Sequence, residues 1–151
     1  MFQGQFMQEK DEDILAQNHK IALVISPDLD IGQAANRSAV LASGLAAHHP
    51  EIIGEDILTA DGIRLPGFTK VPIVVLSAKD SASINILSEK GRKLGCTVLI
   101  FLTRAQGLRS YQAYIASVGK TPAENLDVDA FIIYGAKKAV NKVTGNLPIL
   151  R

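Results

Sequence analysis

Three groups of residues in this chain are of types that do chemistry, and each follows an apolar run. The first is Asp28-Leu29-Asp30-Ile31-Gly32-Gln33, a glycine-bearing turn before a helical pattern. α/β folds place ligands at such a turn, and the amides that open a helix attract anions there. The turn lacks the three-glycine spacing of a dinucleotide site and the Gly-Lys-Ser/Thr of a phosphate loop, and capping the helix accounts for one of its aspartates. Asn36 comes one turn later, in a helix otherwise rich in alanine. Asparagine is mildly unfavourable inside a helix, so it reads either as placed for hydrogen bonding or as a plain exposed residue. In the second group, Tyr111 and Tyr114 lie three apart beside Arg104 and Arg109. That arrangement could stack a ring and pair a phosphate, but with little aromatic content and no platform of rings it reads more readily as a tyrosine pair at the core edge beside solvated arginines. The third group, Lys137, Lys138, Asn141 and Lys142, is either an anion clamp or a solvated helix face.

Other chemistries find no footing. Cys96 is the single cysteine, at the mouth of an apolar strand with no histidine near it in sequence, and reads as a small buried thiol. His19, His48 and His49 fall at a strand start and a helix end, where solvation and the helix dipole account for them. Neither Gly-x-Ser-x-Gly nor His-Glu-x-x-His occurs, so no metal or cofactor is expected.

The elements that must hold these residues alternate. Lys20 to Ile25, Val71 to Leu76, Thr97 to Leu102 and Val128 to Tyr134 are short apolar runs with the composition of buried strands. Gly32 to Ala47 repeats Ala35, Ala39, Ala42, Leu45 and Ala46 at helical spacing, predicting a closely packed helix face. Asp61-Gly62 predicts a hairpin turn. Asp80 or Ser81 is placed to cap a helix running to about Leu94. Gln106 to Val118 has a helical pattern, Thr121-Pro122-Ala123-Glu124 reads as a helix start, and a basic helix opens near Ala136 and ends before Gly145. Strands alternating with helices predict an α/β fold, a three-layer α/β/α sandwich around a mixed sheet of about four main strands.

A chain of 151 residues with 47% hydrophobic and 21% charged residues fits one folded domain, expected over 19–151 behind a poorly ordered lead-in at 1–18. No apolar run approaches the roughly 20 residues of a membrane span, and no membrane partner is expected. With one cysteine and an acidic N-terminus, the chain reads as cytoplasmic. Its net charge of +1 hides a division. Residues 1–89 hold 6 Lys/Arg against 12 Asp/Glu, and residues 90–151 hold 10 against 3. One-sided basicity fits an anionic partner, a small molecule or RNA, unless the two halves fold onto each other and cancel.

The residues also carry a family resemblance. Ala35-Asn36-Arg37-Ser38-Ala39-Val40-Leu41, Asp61-Gly62, Pro66-Gly67, Tyr134-Gly135 and Val140-Asn141-Lys142-Val143-Thr144-Gly145 are similar to the domain-of-unknown-function family numbered two thousand. The closing segment from Tyr134 to Leu150 resembles that of type II peptidyl-tRNA hydrolases, whose fold the resemblance implies. The chain departs from the hydrolase pattern at three places. Gln33 stands where the pattern has lysine, Ala39 where it has histidine, and Arg104-Ala105-Gln106 where it has Asp-Ala-Gly. Losing proton-transfer and electrostatic groups costs a hydrolase about 100-fold or more each. What this implies is a noncatalytic or weakly catalytic domain binding an anionic ligand through Gly32, Asn36, Arg104, Tyr111, Lys137 and Asn141, with Asn36, Arg104, Lys137 and Asn141 expected to meet at one sheet edge. The alternative is a hydrolase of an ester or amide related to peptidyl-tRNA. A homodimer through the alanine-rich helix face is a third reading.

Overall fold

The computed structural model describes residues 14–151, so residues 1–13 of the expected lead-in lie outside the described residues, while 14–18 form a helical turn. Four strands make the main sheet: β1 (His19–Ile25), β4 (Ile73–Ser77), β5 (Thr97–Leu102) and β6 (Val128–Ala136). Two short strands, β2 (Ile57–Leu58) and β3 (Arg64–Leu65), pair separately as the hairpin expected at Asp61-Gly62, and Gly62 takes the positive φ of 89° that the turn requires. The helices are α1 (Ile31–His48), α2 (Ser83–Lys93), α3 (Tyr111–Val118) and α4 (Lys137–Thr144). Among the described residues no helix is long and apolar enough to cross a membrane.

Strand order is β4-β1-β6-β5, with β4 parallel to β1 and β6 antiparallel to both its neighbours. Thus β1, β4 and β5 all point one way, and β6 alone points the other. β6 is central and buried from Val128 to Tyr134, as its apolar run demands. Side chains alternate across the sheet. Ile21, Leu23, Ile25, Ala130 and Ile132 meet Leu41 and Leu45 of α1 in one cluster. Ala22, Val24, Phe131 and Ile133 meet Ile84 of α2 and Val140 and Val143 of α4 in the other. The two edges of the sheet differ. The C-terminal segment covers β4, where the Ser77 amide donates to Pro148 O at 2.9 Å and the Leu150 amide to Val75 O at 3.0 Å. No strand among the described residues covers the outer edge of β5.

Three sequence expectations are corrected. The buried face of α1 is Ala34, Arg37, Leu41 and Leu45, one step round from the expected stripe, and Ala35 and Ala39 are exposed. A run of small residues fits several helical phases, and here the phase turns Arg37 inward to a carboxylate. Gln106–Val118 is not one helix: a 3-10 turn ends at Gly107, and α3 starts at Tyr111, where the Ser110 hydroxyl accepts from the Ala113 amide at 3.1 Å. At 121–124 only a 3-10 turn, Ala123–Asn125, forms, because Thr121 is engaged with Arg104 instead of capping and β6 begins three residues later.

A groove on the open strand and a polar crevice at the strand ends

Breaking the 103–118 segment at Leu108–Ser110 opens a groove over β5. Its floor includes Leu99 and Phe101, one wall is α1 from Val40 to His48, and the other runs from Ala105 to Tyr114. The space is about 680 Å³. Close approach of α1 to the strand needs Gly44, where an added Cβ would lie 2.6 Å from Leu99 Cδ2. Tyr111 is 74% exposed, and its ring centre lies 6.1 Å from that of Tyr114. Burial pushes the Tyr114 phenol up, so it stays protonated at neutral pH. Arg109 is exposed at the mouth, with no hydrogen bond or ion pair among the described residues, and His48 stands at the other end.

Arg104 holds the outer wall in place. Its Nε donates to Asp127 Oδ1 at 2.6 Å, its amide to Asp127 Oδ2 at 2.9 Å, and its Nη1 to the hydroxyls of Ser117 and Thr121 at 3.1 and 2.9 Å. The expected ligand-binding arginine therefore works as an internal clamp between the 103–107 turn, the end of α3 and the start of β6. Burial raises the Asp127 carboxyl, but the Arg104 amide and guanidinium outweigh it and hold the group below the ordinary carboxylate range. A lowered folded-state pKa gives stability that is present above the unfolded value of about 3.9 and lost as pH falls through the folded value. Asp127→Asn should therefore remove part of the acid sensitivity of unfolding below about pH 4 while lowering stability at pH 7, as read from denaturant midpoints across pH.

A separate crevice of about 340 Å³ opens where β1 and β5 end and β6 begins. Asp28, Asp127 and Asp129 line it against one cation, Arg37, so it does not suit an anion. Arg37 is buried, with Nε and Nη2 on Asp129 at 3.3 and 3.0 Å and Nη2 also on Gln106 Oε1 at 2.9 Å. Gln33 closes a capping box: Asp30 Oδ1 accepts its amide at 2.8 Å, and its own Oε1 accepts the Asp30 amide at 3.1 Å.

The six expected site residues do not share a cleft. Gly32 and Asn36 are exposed on the first turns of α1, at the end of the sheet where Arg104 lies. Tyr111 lines the groove. Lys137 and Asn141 belong to the opposite end of the sheet, because β6 runs antiparallel and delivers α4 beside His19, the start of β1. There Lys20 Nζ donates to Asn141 Oδ1 at 2.7 Å, and Lys137 is exposed. Convergence at one edge is thus corrected by strand direction. Sequence reasoning gave Arg37 no role, although a single charge in the alanine helix and Asp129 inside an apolar strand were the signal for such a pair. His49 is not simply solvated either: its Nδ1 contacts Glu51 Oε1 at 2.8 Å and its Nε2 contacts Thr97 Oγ1 at 2.7 Å. Among the described residues no group of three or more His, Cys, Asp or Glu is placed to hold a metal ion.

Comparison with known proteins gives one family and a shared fold. Residues 19–151 match the family described as Protein of unknown function (DUF2000). A solved structure, described as a protein of unknown function, Atu0240, from Agrobacterium tumefaciens strain C58, is similar with a TM-score of 0.81 and 22% identity, covering 89% of this chain and 98% of that one. No curated protein gives a significant match.

Proposed function

This chain belongs to the family described as Protein of unknown function (DUF2000), and we propose that it is a binding domain for a small ligand with a flat apolar body and an anionic group. The site is the groove over β5, and the observation that carries this reading is Arg109. An exposed guanidinium, with no hydrogen bond or ion pair among the described residues, lines a groove whose other walls are apolar, aromatic or hydroxyl-bearing, with His48 also in the lining. About 680 Å³ lies within the range of small-molecule sites, roughly 300–1,000 Å³. The tyrosine pair offers a ring face to the apolar body. The scaffold is read as the α/β/α layering of the type II peptidyl-tRNA hydrolases, with helices packed against both sheet faces in support.

A suitable probe is 8-anilinonaphthalene-1-sulfonate, an aromatic anion, followed by its fluorescence with the native protein. Saturable binding to one site is expected. Arg109→Ala should weaken it by about 1.5–3 kcal/mol, roughly 10- to 100-fold, the range of a charge-assisted hydrogen bond. Binding unchanged by both Arg109→Ala and Val40→Glu would refute the site.

Peptidyl-tRNA hydrolysis is not expected. Gln33 is held in the helix cap, Ala39 carries no proton-transfer group, and Arg104 is clamped to Asp127. Purified protein should release no appreciable peptide from peptidyl-tRNA beside a genuine type II enzyme. Comparable turnover would favour the hydrolase reading.

A further inference from the structure

Three side chains meet where β5 begins, just beyond His48 of the groove lining along the chain. His49 closes α1 and precedes the 3-10 turn Pro50–Ile52. Its Nδ1 lies 2.8 Å from Glu51 Oε1, and its Nε2 lies 2.7 Å from the hydroxyl of half-buried Thr97. The Glu51 carboxyl sits below the usual carboxylate range, first through its own backbone amide and then through His49, so it is ionised at neutral pH. An ionised carboxylate only accepts. A ring hydrogen on Nδ1 therefore faces Glu51, and with that hydrogen on Nδ1 the other ring nitrogen, Nε2, is the one placed to take the Thr97 hydroxyl proton. The ring orientation is fixed edge-on against buried Tyr134 at 4.8 Å, and Tyr134 is stacked in turn on His19 at 5.6 Å.

A carboxylate, an imidazole and a hydroxyl linked in this order are recognised as a nucleophilic array by geometry and role, not by sequence position. We infer that Thr97 accepts acyl groups from activated esters or thioesters, with His49 as its base and Glu51 as the positioning residue for His49. His48, next to His49 in the chain, and Leu99, two residues beyond Thr97, line the groove, and Leu99 gives the acyl group an apolar wall. Thr97 Oγ1 forms a bond to the acyl carbon as its proton passes to His49 Nε2. The tetrahedral adduct then breaks its bond to the leaving oxygen or sulfur, which takes that proton, and the acyl group remains as an ester on Thr97. Water attacking by the same route restores the hydroxyl and releases the acid. Nothing in this sequence uses Arg109, so it stands or falls apart from the ligand proposed for the groove.

A purely structural knot tying the end of α1 to β5 would show the same hydrogen bonds, so the test reads chemistry. The probe is p-nitrophenyl acetate, with nitrophenolate release followed in time and the acetylated side chain located by peptide mass mapping. A burst approaching one equivalent per chain is expected, with the acetyl group on Thr97. Thr97→Val should abolish the burst and Thr97→Ser retain it. His49→Ala should slow it by about 100-fold or more, the contribution of a positioned base. Glu51→Gln alone should slow it by roughly 10-fold or more, yet add nothing to His49→Ala, because Glu51 acts only through the ring. Acetyl groups found only on other side chains, or Thr97 acetylated equally fast in His49→Ala, would overturn the inference.

Discussion

Arg37→Met should destabilise the fold by about 3–5 kcal/mol, the usual cost of leaving one member of a buried ion pair without the other. Arg37 is 2% exposed. It lies over the Phe101 ring, with its guanidinium carbon 4.2 Å from the ring centre, and donates to both oxygens of Asp129. Thr103 Oγ1 also donates to Asp129, at 3.1 Å. Without the guanidinium, a carboxylate buried at the start of β6 keeps one hydroxyl and no cation. Urea unfolding at pH 7 should show a lower midpoint with little change in slope. The double variant Arg37→Met/Asp129→Leu should recover much of the loss, since apolar replacement of a whole buried pair is often neutral or better. A loss below about 1 kcal/mol for Arg37→Met would mean that water reaches the pair and that it behaves like a surface bridge.

Phe131→Ala should cost a similar amount, about 3–5 kcal/mol, by a different route. Phe131 is fully buried on the central strand, with Val24 and Ile100 as its cross-strand partners. It belongs to the cluster that α2 and α4 close with Ile84, Val140 and Val143. Truncation leaves a cavity that these β-branched neighbours cannot collapse to fill, because their rotamers are stiff. At about 2–4 °C per kcal/mol for a domain of this size, the melting midpoint should fall by roughly 10 °C. A fall of only a degree or two would show that the cluster repacks.

The strands were legible because each is an apolar run of the right length, and β1, β4, β5 and β6 all form where Lys20, Val71, Thr97 and Val128 announced them, within two residues at their starts. The helix start near Asp80 was legible too: Asp80 Oδ1 accepts the Ser83 amide at 2.8 Å, although the N-cap position itself falls to Ala82 and not to Asp80 or Ser81. Strand direction was not legible. Hydrophobicity is the same read either way along β6, so nothing in Val128 to Tyr134 shows that this strand opposes its neighbours, and that direction alone sends Lys137 and Asn141 away from Asn36 and Arg104. Partners in space were hidden as well. Arg104 and Arg109 look alike in sequence, yet Asp127, 23 residues away from Arg104, takes one of them, while the other has no hydrogen bond or ion pair among the described residues. His49 and Thr97 are 48 residues apart, and only the packing of α1 along β5 brings them together.

On the function proposed above, the groove over β5 receives the anion and the basic helix α4 does not. An amide chemical-shift map of the uniformly labelled protein during titration with 8-anilinonaphthalene-1-sulfonate separates the two. The shifts should concentrate in residues 40–48, 97–101 and 108–114, with Arg109 among the most perturbed and 137–142 unmoved. Shifts concentrated at Lys137, Lys138 and Lys142, with the groove unchanged, would contradict it.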